Sequence, residues 1–267
     1  MYLEAYGLRE HPFRQDFDPK FIYYTRAHEE TLTRMMYAVN ERKGGILVTG
    51  RHGTGKTMLS RVLAEELSQA GFQVVRISHG NLAPEAFLAD ILWNLGIPSE
   101  GKDKAGLWHA VLEAVRRQAQ ADRETVVIMD EAQSLHSPET FNELVELMNI
   151  EVEGVCPVHV VVLADNEFLR RIDSLGSLGE RLFVRSRLGI LNREDAEGLL
   201  RHRLAAAGCG RALFSPAALD ALHRASGGVP RSLIHLADLT LLMGASEGQS
   251  QVEDAMVHSA VSDWRGL

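Results

Sequence analysis

Lys56 and Thr57 close a glycine-rich stretch, GRHGTGKTM (Gly50–Met58), whose spacing is glycine, four residues, glycine, lysine, threonine. These residue types suit a phosphate. Glycines let backbone N–H groups curl round its oxygens, and a helix N-terminus adds partial positive charge there. Lys56 would reach the β- and γ-phosphates, and the Thr57 hydroxyl would take a magnesium position. Gly50, Arg51, His52, Gly53, Thr54, Gly55 and Met58 complete the loop. Arg51 and His52 put two potential cations near the γ-phosphate, with His52 read as a solvent-facing loop residue rather than a catalyst. The alternative is a glycine-rich turn that only joins a strand to a helix.

A second constellation lies in TVVIMDEAQ (Thr125–Gln133), with Asp130 74 residues beyond Lys56. A β-prone apolar run ending in two acids reads as an inner parallel strand whose C-terminal edge faces a ligand crevice. Asp130 would hold the magnesium, directly or through water. Glu131 would orient and deprotonate an attacking water, the general-base role. A third apolar run, Val158 to Leu163, ends at Ala164-Asp165-Asn166. Asn166 first, and Asp165 second, are candidates to touch the γ-phosphate or the water. An ordinary cap for a helix beginning near Glu167 is the competing reading.

The elements that must position these groups follow from periodicity. Ile46–Thr49 is short, apolar and bounded by glycines, hence a buried strand. After Thr57, Leu59, Val62, Leu63 and Leu67 recur at helical spacing. Phe72–Ile77 and Leu182–Ile190 complete five strands in a βαβ pattern, predicting an α/β fold with a parallel sheet. The pattern then turns helical. Asn192 with Asp195 resembles a capping pair for Glu194–Ala207, and Ser215-Pro216 opens a helix to Ser226. Gly227-Gly228 stops it, Pro230 starts another to about Met243, and Val252–Trp264 makes a fourth. The expected domains are 1–190, an N-terminal segment plus the sheet domain, and 191–267, an all-α lid. The short helical stretch Pro84–Gly96, with Trp93, is left open between core and docking surface, the helical spacing of Phe87, Ile91 and Leu95 favouring core.

Composition narrows the class. The 267 residues are 45% hydrophobic and 24% charged, ordinary globular usage. No apolar run is long enough to span a bilayer, and MYLEAYGLREHPF lacks the apolar core of a secretory signal, so a cytoplasmic protein is expected. Cys156 and Cys209 lie far apart without CxxC spacing and are expected to be reduced, buried thiols. The net charge of -8 argues against general nucleic-acid binding. It is uneven, however: Arg181 to Arg231 carries nine arginines against four acids.

On these residues the chain resembles the AAA+ ATPases, and within them the ExeA/GspA type of bacterial secretion and pilus-assembly loci. The pieces that carry the resemblance are YGLREHPF, DPKFIYYTRAHEETL, GRHGTGKT, VVIMDEAQSL and GGVPRSLIHLAD. The opening YGL-x-x-x-PF with the later DP-x-F discriminates best, since the phosphate loop alone is generic to P-loop NTPases. The resemblance implies ATP and Mg²⁺ as cofactors and gives further residues roles. Arg231, in GVPR, looks like the sensor arginine that reaches the γ-phosphate from the lid. One of Arg181, Arg185 and Arg187 would act across a subunit interface as an arginine finger, Arg181 and Arg185 being preferred. Phe21–Thr25 would pack near adenine, with Tyr23 or Tyr24 stacking on the base, although packing is the equal alternative for two tyrosines on a buried turn. Members of this type often carry Gly-Gln after this strand, where this chain has Ala164-Asp165-Asn166. Longer members add a transmembrane segment and a periplasmic peptidoglycan-binding domain, which these 267 residues do not contain.

The resemblance further implies a nucleotide-dependent homo-oligomer, ring or filament, with a protein client in a secretion, pilus or export machine. A second reading, resembling the TnsC/MuB transposition ATPases, has the arginine-rich span on duplex DNA, recruiting a transposase. A third, a non-catalytic nucleotide switch, is opposed by the intact Lys56, Asp130 and Glu131.

Overall fold

The apolar runs pair as their composition requires. In the computed structural model, which describes residues 2–78, 82–135, 137–172 and 175–266, five strands are present: β1 (Gly45–Gly50), β2 (Gln73–Ile77), β3 (Thr125–Met129), β4 (Val158–Ala164) and β5 (Leu182–Leu188). The helices are α1 (Tyr2–Tyr6), α2 (Arg26–Asn40), α3 (Lys56–Gln69), α4 (Pro84–Asn94), α5 (Lys104–Gln120), α6 (Pro138–Met148), α7 (Phe168–Ile172), α8 (Ser177–Arg181), α9 (Arg193–Ala206), α10 (Pro216–Ser226), α11 (Pro230–Ser246) and α12 (Asp254–Arg265). The chain divides into two compact units, one of Ala27–His52 and Lys56–Leu188, the other of Met1–Arg26, Gly53–Gly55 and Gly189–Leu267.

The larger unit is built on the sheet, in the order β2-β3-β4-β1-β5, with every pairing parallel. Strands β1, β3 and β4 are buried along their whole length, because helices cover both faces. One face packs Leu59, Leu63 and Leu67 of α3 with Met35 and Val39 of α2 against Ile46, Val48, Val126, Ile128, Val161 and Leu163. The other face packs Phe87, Leu88, Ile91 and Leu92 of α4 with Phe141 and Leu144 of α6 against Leu47, Val127, Met129, Val160 and Val162. Alternate residues of each strand therefore serve opposite cores. Phe87 and Ile91 are core as expected, whereas Trp93 of the same helix is 82% exposed. Trp93 sits two positions from Ile91, which turns it about 160° off the buried face.

The smaller unit is helical. Its core joins Leu199, Leu200 and Leu204 of α9, Leu222 of α10, Leu233, Leu236 and Leu241 of α11 and Val257 of α12. Tyr2, Tyr6, Leu8, Phe13 and Phe21 belong to the same core. Residues up to Arg26 thus group with the C-terminal helices, whereas the sequence pattern attached them to the sheet. The caps are those the sequence signals: the Asn192 side chain accepts from Asp195 N at 2.7 Å, Ser215 Oγ accepts from Ala218 N, and Gly227 ends α10 at φ 58°. Some boundaries move by a few residues. β5 stops at Leu188, α12 starts at Asp254, and α11 runs on to Ser246. Cys209 is buried but Cys156, in the turn before β4, is exposed, so the expectation of two buried thiols fails for Cys156. Loop position, not sulfur chemistry, decides its exposure.

The entry edge of the sheet carries an ionic staple. Glu124, just before β3, accepts from Arg42 Nε at 2.9 Å and lies 2.5 Å from His159 Nε2. His159 is itself buried, within β4, its ring near-perpendicular to that of Phe72. Burial of Glu124 opposes its ionisation, but the hydrogen bonds from Arg42 and His159 outweigh that and hold the carboxyl below its usual range. A depressed folded-state pKa contributes stability that is present above the unfolded value and lost as pH falls through the folded one. Below pH 4.5, the ordinary glutamate value, acid unfolding of Glu124→Gln is therefore expected to be less steep than that of the parent, measured by circular dichroism in a pH series. Equal acid slopes would dismiss the staple as a contributor.

Candidate functional site

The parallel register brings the chemical groups to one edge. Thr49 lies opposite Ala164 and Met129 opposite Val162, so Gly50, Asp130 and Asp165 all leave the sheet at its C-terminal edge. This is where ligands bind in open parallel sheets. Gly50 leads directly into the phosphate loop, and α3 begins at Lys56.

The loop is shaped for close backbone approach. Gly53 and Gly55 adopt φ of 82° and 102°, which only glycine takes without strain. Lys56 is 4% exposed, with Nζ donating to Gly50 O at 2.9 Å and Arg51 O at 3.4 Å, so the ammonium curls over the loop it would share with a phosphate. Thr54 is buried, Thr57 and Met58 are half-buried, and Arg51 and His52 are exposed.

Asp130 is 3% exposed, and its backbone N–H donates to Ile77 O at 2.8 Å, continuing the β2–β3 ladder past the end of the strand. Its Oδ1 accepts from Glu131 N at 3.0 Å. Glu131 then adopts φ 54°, ψ 38°, the left-handed region, which turns the backbone off the line of the strand. Gln133 Nε2 donates to that carboxylate. Sequence reasoning passed over Gln133; its side chain joins Glu131 to β4, because Oε1 accepts from Asp165 N at 3.0 Å. The available signal was its place two residues after the acid pair.

The two candidates at the β4 tip do different things. Asp165 Oδ1 accepts from Glu167 N and Phe168 N, both at 3.0 Å, and so caps α7. Asn166 Oδ1 is buried without a hydrogen-bond partner. A buried acceptor without a donor is costly. That oxygen suits a group the protein does not itself supply.

The arginines divide by register. Gly45 lies opposite Leu182 and Thr49 opposite Arg187, so Arg187 is beside the phosphate-loop end of β1. Arg181 ends α8 just before β5 and so is at the opposite end of that strand. Arg185 donates to Gly179 O at 2.9 Å and Leu182 O at 3.3 Å, pinning the α8–β5 turn. Of the preferred pair, Arg185 alone carries such a backbone clasp among the described residues. In the helical unit, Arg231 follows Pro230 at the start of α11, and its N–H donates to Gly53 O of the same unit at 3.3 Å. Tyr23 lies against α9 and His202, so close that a Cβ on Gly198 would fall 2.3 Å from its hydroxyl. Tyr24 is half-buried.

Residues 13–172 match the model of an AAA domain. The chain belongs to the AAA+ family. The General secretion pathway protein A of Aeromonas hydrophila is 32% identical over 272 residues, covering 100% of this chain. The chain spans about half of that relative, 49% of its length, and is of the ExeA/GspA type. Among solved structures, Cdc6p from Pyrobaculum aerophilum superposes with a TM-score of 0.77 at 17% identity, covering 93% of this chain and 69% of that one. ORC2 of Aeropyrum pernix (ADPNP-ADP complexes) gives 0.74 at 18%, covering 95% and 71%. The Thermotoga maritima RuvB branch migration motor gives 0.61 at 18%, covering 94% and 73%. At these identities the likeness is one of fold. No described helix is long and apolar enough to cross a membrane.

Asp165→Ala is expected to lower stability by about 1 kcal/mol through the lost cap, whereas Asn166→Ala leaves stability unchanged or raises it. Urea unfolding of the two variants checks this, and equal losses would remove the distinction between them.

Proposed function

We propose that this protein binds and hydrolyses ATP at protomer interfaces of a homo-oligomer, ring or filament, and so organises assembly of a secretion, pilus or export complex from the cytoplasmic side. The observation that carries the ATPase reading is the meeting of Gly50, Asp130, Glu131 and Asn166 at one sheet edge. The residues fit a nucleotide: glycines at positive φ, a lysine folded over loop carbonyls, and an orphan acceptor at the neighbouring strand tip.

In this reading the loop from Gly50 to Met58 cradles the phosphates, with Lys56 exchanging its carbonyl partners for phosphate oxygens. Thr57 and Asp130 hold magnesium. Among the described residues no cluster of three or more His, Cys, Asp or Glu could hold a metal ion by itself. That suits Mg²⁺, which takes one or two protein ligands alongside phosphates and water. When bound, the ion neutralises charge on the β- and γ-phosphates. Glu131 takes a proton from the attacking water, and Asn166 orients that water or the γ-phosphate. Arg231 serves as sensor, Tyr24 borders the base, and Arg181, more than Arg185, serves as the finger offered to a neighbouring protomer.

The assembly role rests on the relative named for general secretion. The competing role, duplex DNA binding in transposition, draws on the arginine-rich span and on a fold neighbour described as ORC1 in complex with DNA. The structure weakens its first support. Arg193 pairs with Asp220 and Glu197, Arg201 pairs with Glu197, and Arg203 is turned inward to the carbonyls of Pro12 and Arg14. Those cations are already engaged within the helical unit.

Glu131→Gln is expected to keep ATP binding while turnover falls about 100-fold or more, and Lys56→Ala to lose binding. Steady-state hydrolysis and fluorescent-nucleotide titration check this, and equal turnover by Glu131→Gln would remove the base assignment. A non-hydrolysable analogue is expected to shift gel filtration to a larger species; a monomer under both conditions would remove the oligomer. Duplex DNA is expected to leave the rate unchanged. A several-fold rise that salt abolishes would transfer the reading to DNA.

A further inference from the structure

Gln133 belongs to no role assigned so far, yet it connects the two halves of the site. Its side-chain amide has one donor end and one acceptor end, and they serve different elements. Nε2 donates to the Glu131 carboxylate, and Oε1 accepts the Asp165 backbone N–H at 3.0 Å. The connection is closed by a second path. Asp165 caps α7 through Phe168 N, and Arg171 of that helix returns to the segment, donating to Gln133 O at 2.8 Å and Leu135 O at 2.7 Å. A ring of hydrogen bonds therefore runs from Glu131 through Gln133 to the β4 tip, along α7, and back through Arg171.

Glu131 needs such a hold. It is a non-glycine residue at φ 54°, a conformation that persists only where surrounding contacts impose it. Its backbone is fixed by its N–H on Asp130 Oδ1, and its carboxylate is held by Gln133. Asn166, the residue with the orphan oxygen, is the immediate neighbour of Asp165. A shift of the β4 tip on engaging a ligand would pull the Gln133 amide, and with it the Glu131 carboxylate.

We propose that Gln133 is a positioning residue that clamps the base carboxylate to the tip of β4, so that Glu131 and Asn166 adjust together. The proposal rests on the hydrolysis reading for its consequence in turnover, but not for the clamp itself. Two variants separate the ends of the amide. Gln133→Glu keeps an oxygen for Asp165 N–H, removes the donor to Glu131 and sets a like charge beside it. Gln133→Leu removes both ends.

The test combines hydrogen–deuterium exchange of the nucleotide-free protein, read on peptides covering 163–168, with ATP turnover and titration of a fluorescent ATP analogue. Gln133→Leu is expected to speed exchange at the β4 tip ~10-fold or more while Gln133→Glu leaves it slow, since only the former strips Asp165 N–H of its acceptor. Both variants are expected to lower kcat ~10-fold or more with KM and analogue affinity within about twofold, the pattern of a group that acts in the chemical step rather than in binding. Unchanged exchange in Gln133→Leu overturns the clamp. So does parent-like kcat in Gln133→Glu, or affinity falling in step with turnover. A parent protein that binds ATP without turning it over sinks the hydrolysis reading instead, and the exchange measurement then decides the clamp alone.

Discussion

The parallel register of β1, β3 and β4 is the constraint on which everything else depends. Three strands of different length and origin in the chain must end level for a glycine-rich loop, a buried acid and a polar tip to share one sheet edge. Parallel pairing supplies that alignment only if each strand is covered on both faces, because a one-residue slip would turn every side chain to the wrong core. The full burial of all three strands is therefore a condition of the site's geometry as well as of stability. Burying Phe87, Phe141, Leu59 and Leu63 contributes about 1.5–3 kcal/mol per side chain, and it also fixes where Asp130 stands relative to Gly50.

The edge so formed combines backbone strain with an unsatisfied polar atom. Glu131 takes a left-handed backbone, two loop glycines take positive φ, and Asn166 buries an oxygen without a donor. Elsewhere in the larger unit Glu143, 4% exposed, is matched by Lys104 and by the Trp108 indole, while Arg42, Asp122 and Glu153 also take positive φ and Arg76 Nε and Ser186 Oγ are also buried without a partner. What sets this edge apart is that the strain at Glu131 and the orphan oxygen of Asn166 fall at the ends of neighbouring strands, where chemistry is expected.

Much of this was legible in the sequence because it rests on short-range signals. The glycine spacing before Lys56, the apolar run into Asp130-Glu131 and the Ser215-Pro216 and Gly227 punctuation each act within a few residues. What escaped was carried by distant partners. Nothing local says that Tyr2, Tyr6 and Phe13 share a core with α9–α12, since that pairing spans nearly the whole chain. Gln133 was hidden for the same reason, its partner at Asp165 lying in another strand. Asp165 and Asn166 were interchangeable as letters, and only the cap to α7 separates them. The three arginines around β5 were likewise alike until the register laid them along the strand.

The staple of Arg42, Glu124 and His159 stands at the opposite end of the same strands from Asp130 and Asn166. The sheet thus divides its labour along its own axis, holding itself together where its strands begin and leaving the demanding geometry to where they finish. Substitutions drifting into the two ends would leave different traces. At the first they would register as a protein that folds less readily yet works when folded. At the second, the Asp165 cap aside, they would register as one that folds as well as before and has lost its purpose.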